Sequence, residues 1–181
     1  MKKIFVILSI VLCAKNLHAQ NYLTRNGQIS FYSHTALEDI NADNNEVVSV
    51  LNPSGSIDFK IAVKSFHFKK QAMEDHFNDA DYMDSEKYPK ASFSGKITNI
   101  SAVDFTKDGT YNITVQGNLT IKDVTKAVTV QGTITIKGGV VSAVASFSVK
   151  RKDYHVIGES FTQSKISEDI KISVNCVYEK R

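Results

Sequence analysis

The chain has 181 residues, two cysteines and a formal net charge of +3. Residues 1–19 hold three of its lysines and no acidic residue, so residues 20–181 carry 19 basic and 19 acidic side chains. This balance excludes the basic footprint of a nucleic-acid-binding or membrane-surface protein, and the length suits one domain with a sizeable core.

The first 19 residues predict a signal peptide. Lys2 and Lys3 form a charged start, an apolar run covers 4–14, and Ala19 is a small residue suited to cleavage. The apolar run is too short to span a membrane. Leu12 stands where a lipoprotein signal needs a small residue before Cys13. We therefore predict export, with a mature domain covering 20–181 that begins at Gln20 and has no intrachain disulfide.

Apolar and polar residues alternate with a period of two along most of the remaining chain, which predicts half-buried strands. Asn26-Gly27 is typical of a turn before the first strand, and Pro53-Ser54-Gly55 follows the second. Asp123 to Lys126 is a short polar connection inside a hairpin. The predicted strands are 28–33, 46–51, 59–64, 92–97, 111–121, 128–137, 141–150 and 170–179.

Each strand has one apolar face, and no helical layer is available to cover it. The remaining solutions are a two-sheet sandwich or a closed barrel. The hairpin repeats one phrase, VQGNLTIK at 115–122 and VQGTITIK at 130–137, and each copy places a glycine on the apolar face. Gly117 and Gly132 either relieve strand curvature or leave room inside, and their presence in long strands favours an antiparallel eight-stranded barrel.

One segment, 65–93, breaks the alternation. Its spacing predicts a short amphipathic helix over 69–78 and a turn near 80–83, ended by Pro89. Such an insert between strands is a natural lid or plug. We expect Met73, Phe77, Tyr82 and Met83 to pack onto the open end of the barrel.

The interior is predicted to be either a filled core or an apolar lumen. Ala143 and Ala145 leave space on the inward face. With the lid residues above, the candidate lining is Phe59, Ile61, Phe66, Phe68, Phe93, Tyr111, Ile113, Leu119, Phe147 and Phe161.

Polar side chains offer less specific chemistry. His67 and His76 lack tight ligand spacing, so an acidic surface turn is favoured over a metal site, and no G-x-S-x-G hydrolase motif occurs. Arg151 and Asp153, with Tyr154, are predicted to form a structural pair at a barrel mouth rather than a headgroup clamp, and His76 is the fourth candidate mouth residue. Outward lysines, including Lys122, are expected to be solvated, and Cys176 is expected to be a buried, inert thiol.

Three stretches resemble the YceI-like family. They are MEDHFNDADYMDSEKYPKASFSGKI at 73–97, GNLTIKDVTKAVTV at 117–130 and FSVKRKDYHVIGESF at 147–161. The likeness covers nearly all of residues 20–181. Asp123 and His155 depart from it, because each stands where that family usually has glycine.

The resemblance implies a lipocalin-like barrel, exported to the bacterial periplasm, that binds a long polyisoprenoid or other lipid and performs no catalysis. It implies no cofactor beyond the bound lipid. An alternative is a non-enzymatic envelope-stress or protein-interaction domain with a filled core. The sequence also leaves a homodimer open.

Overall fold

The computed structural model describes residues 20–181, so the predicted signal peptide lies outside the described residues. Nine antiparallel strands form one sheet. In chain order they are β1 (Tyr22–His34), β2 (Asp39–Leu51), β3 (Ser56–Ala62), β4 (His67–Phe68), β5 (Lys90–Ile97), β6 (Gly109–Ile121), β7 (Val124–Lys137), β8 (Val140–Lys150) and β9 (Asp169–Lys180).

The sheet closes on itself as a barrel. The strands are neighbours in the order β1, β9, β8, β7, β6, β5, β3, β2, and β2 pairs with β1 to complete the circle. The two-residue strand β4 adds only Ala42↔Phe68 and Asp43↔His67 at the side of β2. The predicted eight-stranded antiparallel barrel is therefore confirmed.

The Asn26-Gly27 turn predicted before the first strand is wrong. Strand β1 runs through these residues, and its register against β2 shifts on both sides of Gly27. A Cβ at Gly27 would lie 2.8 Å from the Cys176 Sγ atom on β9. This glycine thus marks a bulge that lets two strands approach closely.

The β6–β7 hairpin is tighter than the predicted connection over 123–126. Pairing extends without a break from Gly109↔Ile136 to Ile121↔Val124. Only Lys122 and Asp123 form the turn, and Lys122 has a φ of 54°, in the left-handed region.

The helical insert is present, as predicted, as α1 (Gln71–Asn78). Short 3-10 helices cover Val63–Ser65, Ile100–Ala102, Arg151–Tyr154 and Gln163–Lys165. Within residues 20–181, no helix is long and apolar enough to cross a membrane.

The two ends of the barrel differ. At the closed end, which has the turns at 52–55, 98–108 and 138–139, buried side chains such as Leu51, Ile97 and Ile134 form the main core, and Phe105 packs against it from the 98–108 loop. The open end has the 35–38 turn, α1, the 122–123 turn and the segment 151–168. The main core therefore lies toward the closed end, and a smaller buried cluster around Ile61 and Phe66 lies toward the insert.

Candidate ligand-binding site

The half of the barrel toward the open end contains a cavity of about 500 Å³. Strand residues supply its walls because their inward faces are apolar, and α1 and the 151–168 segment cover its mouth. The size and the apolar lining are typical of a small-molecule site. An entirely filled core is therefore excluded for this barrel.

The structure brings nearly all of the candidate lining residues together around this cavity. They lie on five strands, on α1 and on the flanking loops, so residues far apart in sequence face one space. Those in the lining are Phe59, Ile61, Phe66, Phe68, Met73, Phe77, Tyr82, Met83, Phe93, Ile113, Leu119, Phe147 and Phe161.

Tyr111 is the exception, and its assignment to the lumen is wrong. It lies near the start of β6, at the closed end, and packs half-buried against the main core. Its hydroxyl donates to the backbone carbonyls of Asp104 and Lys107, at 3.3 and 3.0 Å. The alternation of apolar and polar residues placed Tyr111 on the correct, inward face of β6, but it did not show at which end of the barrel the side chain lies.

The two hairpin glycines have different surroundings. Gly132 lines the cavity, whereas Gly117 does not. A Cβ at Gly117 would lie 2.5 Å from both the Gly95 Cα and the Ser94 carbonyl oxygen, and 2.6 Å from the Phe93 ring. At Gly132 the nearest atom, the Val144 carbonyl oxygen, would be 2.9 Å away. Both glycines thus permit close strand approach, and only Gly132 also borders the lumen.

An aromatic cluster connects the lid to the barrel. The Phe31 ring lies 5.4 Å from Phe66, 5.6 Å from Phe68 and 5.4 Å from Phe77, measured between ring centroids. These separations are in the favourable range for aromatic pairs. Phe77 comes from α1 and also packs on Phe66 and Phe68, at 5.6 and 5.1 Å, so this cluster joins the helix to the barrel.

Several lining residues were missed by the sequence analysis. Phe31, Ile29 and Ser33 alternate on β1 and carried a usable signal, because a period of two places them on one face. Others lie in the irregular 151–168 segment, where no periodicity exists. The missed residues include Ile29, Phe31, Ser33, Glu38, Ile40, Ala72, Val156, Thr162, Lys165, Ile166, Ile170 and Ile172.

The predicted pair between Arg151 and Asp153 is wrong. Arg151 lines the cavity and is only 6% exposed. Its Nε donates to the Ser167 carbonyl at 3.1 Å, and its Nη1 donates to the carbonyls of Val156, at 3.0 Å, and Ile157. Asp153 instead pairs with Lys126 at 3.0 Å, outside the lining. The guanidinium organises the mouth segment through backbone carbonyls and not through a carboxylate.

The other two candidate mouth residues also border the cavity. Tyr154 is 2% exposed, and burial raises the pKa of its phenol. His76 lies on α1 with its Nδ1 3.4 Å from a carboxylate oxygen of Asp79. Among residues 20–181, no three His, Cys, Asp or Glu side chains are grouped to hold a metal ion.

Lys122 is not the solvated outer residue that alternation predicted. From the β6–β7 turn its Nζ donates to the carbonyls of Tyr82, at 2.7 Å, and His155, at 3.1 Å. His155 has a left-handed φ of 56°, and its Nδ1 lies 3.1 Å from Asp123 Oδ1. Asp123 and His155, which stand where the family usually has glycine, therefore contact each other. The β6–β7 turn also holds the loops that contain Tyr82 and His155 through the hydrogen bonds of Lys122.

Comparison with known proteins agrees with this architecture. The family described as YceI-like domain matches residues 21–178. A search of curated proteins returned no match.

Solved structures show the same fold. BcnA of Burkholderia cenocepacia is 20% identical, with a TM-score of 0.69 over 84% of this chain and 96% of that chain. A polyisoprenoid binding domain from Saccharophagus degradans, implicated in plant cell wall breakdown, is 12% identical, with a TM-score of 0.77 over 89% and 98%. The YCEI protein of Campylobacter jejuni is 18% identical, with a TM-score of 0.61 over 82% and 88%.

Proposed function

The chain belongs to the YceI-like domain family, and on that premise we propose that it is an exported binding protein, not an enzyme, that holds one long apolar chain inside its barrel. A polyisoprenoid or similar lipid fits the chemistry of the site. The location we propose is the bacterial periplasm. The charged and apolar pattern of residues 1–19 supports export, and membership of the family supports the periplasm.

The observation that carries this proposal is the half-filled barrel. The closed end is packed, but the open half retains about 500 Å³ surrounded by aliphatic and aromatic side chains. Each CH₂ group transferred from water into such a space contributes about 0.8 kcal/mol.

The test is direct chemical identification of what the barrel contains. The protein is purified without detergent, extracted with organic solvent, and the extract is analysed by mass spectrometry. We expect one class of linear apolar molecule at close to one per barrel. An empty protein that also fails to bind added geranylgeraniol would refute the proposal.

Two alanine variants separate lumen binding from surface adsorption. Ala145 lines the cavity, whereas Ala127 is exposed on the outer face of the neighbouring strand β7. Ala145→Leu should reduce the bound lipid because the new side chain occupies the lumen. Ala127→Leu adds the same group outside and should leave the lipid content unchanged.

A further inference from the structure

The mouth of the cavity contains two cations that have no carboxylate partner within residues 20–181. Arg151 and Lys165 both line the cavity, and neither takes part in an ion pair of the described chain. Arg151 is more than nine-tenths buried. A buried guanidinium is costly unless its charge and its hydrogen-bond donors are compensated.

Nearby carboxylates are already engaged by other lysines. Glu38, which borders the cavity, lies 3.8 Å from Lys70, and Glu168 lies 3.0 Å from Lys152. The Lys152 ammonium, with a smaller contribution from the Arg151 charge, lowers the pKa of Glu168. Asp153 is taken by Lys126. Within residues 20–181 the acidic groups around the mouth therefore form no ion pair with the cavity-facing cations, and only Glu168 interacts with the Arg151 charge at longer range.

The hydrogen bonds of Arg151 leave one nitrogen of its guanidinium group, Nη2, available. Nε and Nη1 donate to three backbone carbonyls, while Nη2 has no partner within residues 20–181. In the same part of the chain, the only fully enclosed side-chain polar atom without a partner is Asn78 Oδ1, so Nη2 is not fully enclosed. It therefore keeps some accessible surface, and Arg151 is one of the residues that line the cavity.

We propose that the ligand is an anionic amphiphile whose carboxylate or phosphate headgroup binds between Arg151 and Lys165, with its tail in the apolar cavity. This inference rests on the proposed function and specifies its ligand class. Guanidinium groups suit both headgroups because their planar N–H donors match paired oxygens. The backbone carbonyls hold the guanidinium in place before the ligand arrives, which lowers the ordering cost of binding.

The test compares ligands that share a tail and differ in headgroup charge. Oleic acid is paired with oleyl alcohol, and geranylgeranyl phosphate with geranylgeraniol, all against delipidated protein at about pH 8, where both acids are ionised. We expect the charged member of at least one pair to bind about tenfold more tightly or better. The ratio of the two affinities within each pair, charged over neutral, shows which headgroup the site prefers: a larger ratio for the oleyl pair indicates a carboxylate, and a larger ratio for the geranylgeranyl pair indicates a phosphate.

Variants locate the effect. Lys165 is exposed at the rim, so Lys165→Gln should fold normally and reduce the ratio, with little change for the alcohol. Lys171→Gln, which removes an exposed lysine from the outer face of β9, is the matched control and should keep the ratio. Arg151→Gln should reduce the ratio further where it folds.

Two results would overturn the inference. One is equal binding of charged and neutral members in both pairs, and the other is a ratio that Lys165→Gln does not change. Failure of all four ligands to bind would instead refute the proposed function itself.

Discussion

At the scale of single residues, Gly117 shows that a glycine can be required by space alone. Its backbone φ is not in the positive region, so conformational freedom is not the reason. Gly95 faces it across the β5–β6 pair, and the Phe93 ring lies against both. Curvature and an open lumen were the two interpretations from sequence. The structure shows close packing between two strands and a ring, which explains why no larger residue fits.

We expect Gly117→Ala to lower the free energy of unfolding by about 1–3 kcal/mol, as an overpacked site does. Phe93→Leu should not rescue it, because the Gly95 Cα and the Ser94 carbonyl oxygen, both 2.5 Å from the new Cβ, belong to the backbone. The measurement is the midpoint of denaturant unfolding. Asn118→Ala, at the exposed neighbouring position, is the control. A wild-type midpoint for Gly117→Ala would show that the strands separate at no cost.

At the scale of elements, the β6–β7 turn fastens the loops that surround the mouth. Lys122 reaches the loop after α1 through the Tyr82 carbonyl and the loop after β8 through the His155 carbonyl. Helix α1 has no buried residue and no side-chain cap at its first turn. The lid therefore depends on a few contacts, and such elements open at lower free energy than strands do.

We expect hydrogen exchange to be faster over 66–84 than in the barrel strands, and Lys122→Met to accelerate it further at Tyr82 and in the 151–158 segment. The methionine keeps the unbranched apolar stem of the side chain but cannot donate to the two carbonyls. Lys96→Met, on the outer face of β5, should leave exchange unchanged. Equal protection of lid and strands in the wild-type protein would identify 66–84 as a fixed plug.

The strands and the helix were predictable because a period of two or 3.6 residues is a local signal. The same signal placed Phe59, Phe93 and Phe147 correctly on the inward face. It did not distinguish Tyr111, at the packed end, from residues at the hollow end, since depth depends on strand stagger. The partners of Arg151 and Lys122 are backbone carbonyls of distant loops, and no sequence pattern specifies them.

At the scale of the whole molecule, the main core and the cavity are located at opposite ends. The closed end contains Cys176, Tyr178 and Ser49, all buried, and the hydroxyls of Ser49 and Tyr178 lie 2.9 Å apart. Neither Cys176 nor Tyr178 borders the cavity. Burial raises the pKa of the Cys176 thiol to about 11 and also raises the pKa of the Tyr178 phenol. The neutral forms of both groups are therefore the ones that the folded state accommodates.

This arrangement predicts that the protein loses stability as the pH becomes alkaline. An unfolded thiol ionises near about pH 8.5, so the contribution of Cys176 is fully present below that pH and is lost as the pH rises through about 11. The free energy of unfolding should fall over this window by at most about 1.4 kcal/mol per pH unit for each group. Denaturant unfolding between about pH 7.5 and 10.5 measures the slope.

Two variants assign the slope to its groups. Cys176→Ala should flatten the slope, even though the smaller side chain lowers stability at neutral pH. Tyr178→Phe should change the slope only near and above about pH 10, where the unfolded phenol ionises. Because the titrating groups lie outside the cavity, lipid-loaded and delipidated protein should show the same slope at different absolute stabilities. A slope that is absent in the wild-type protein, or that persists unchanged in Cys176→Ala, would contradict the assignment of this pH dependence to the closed end.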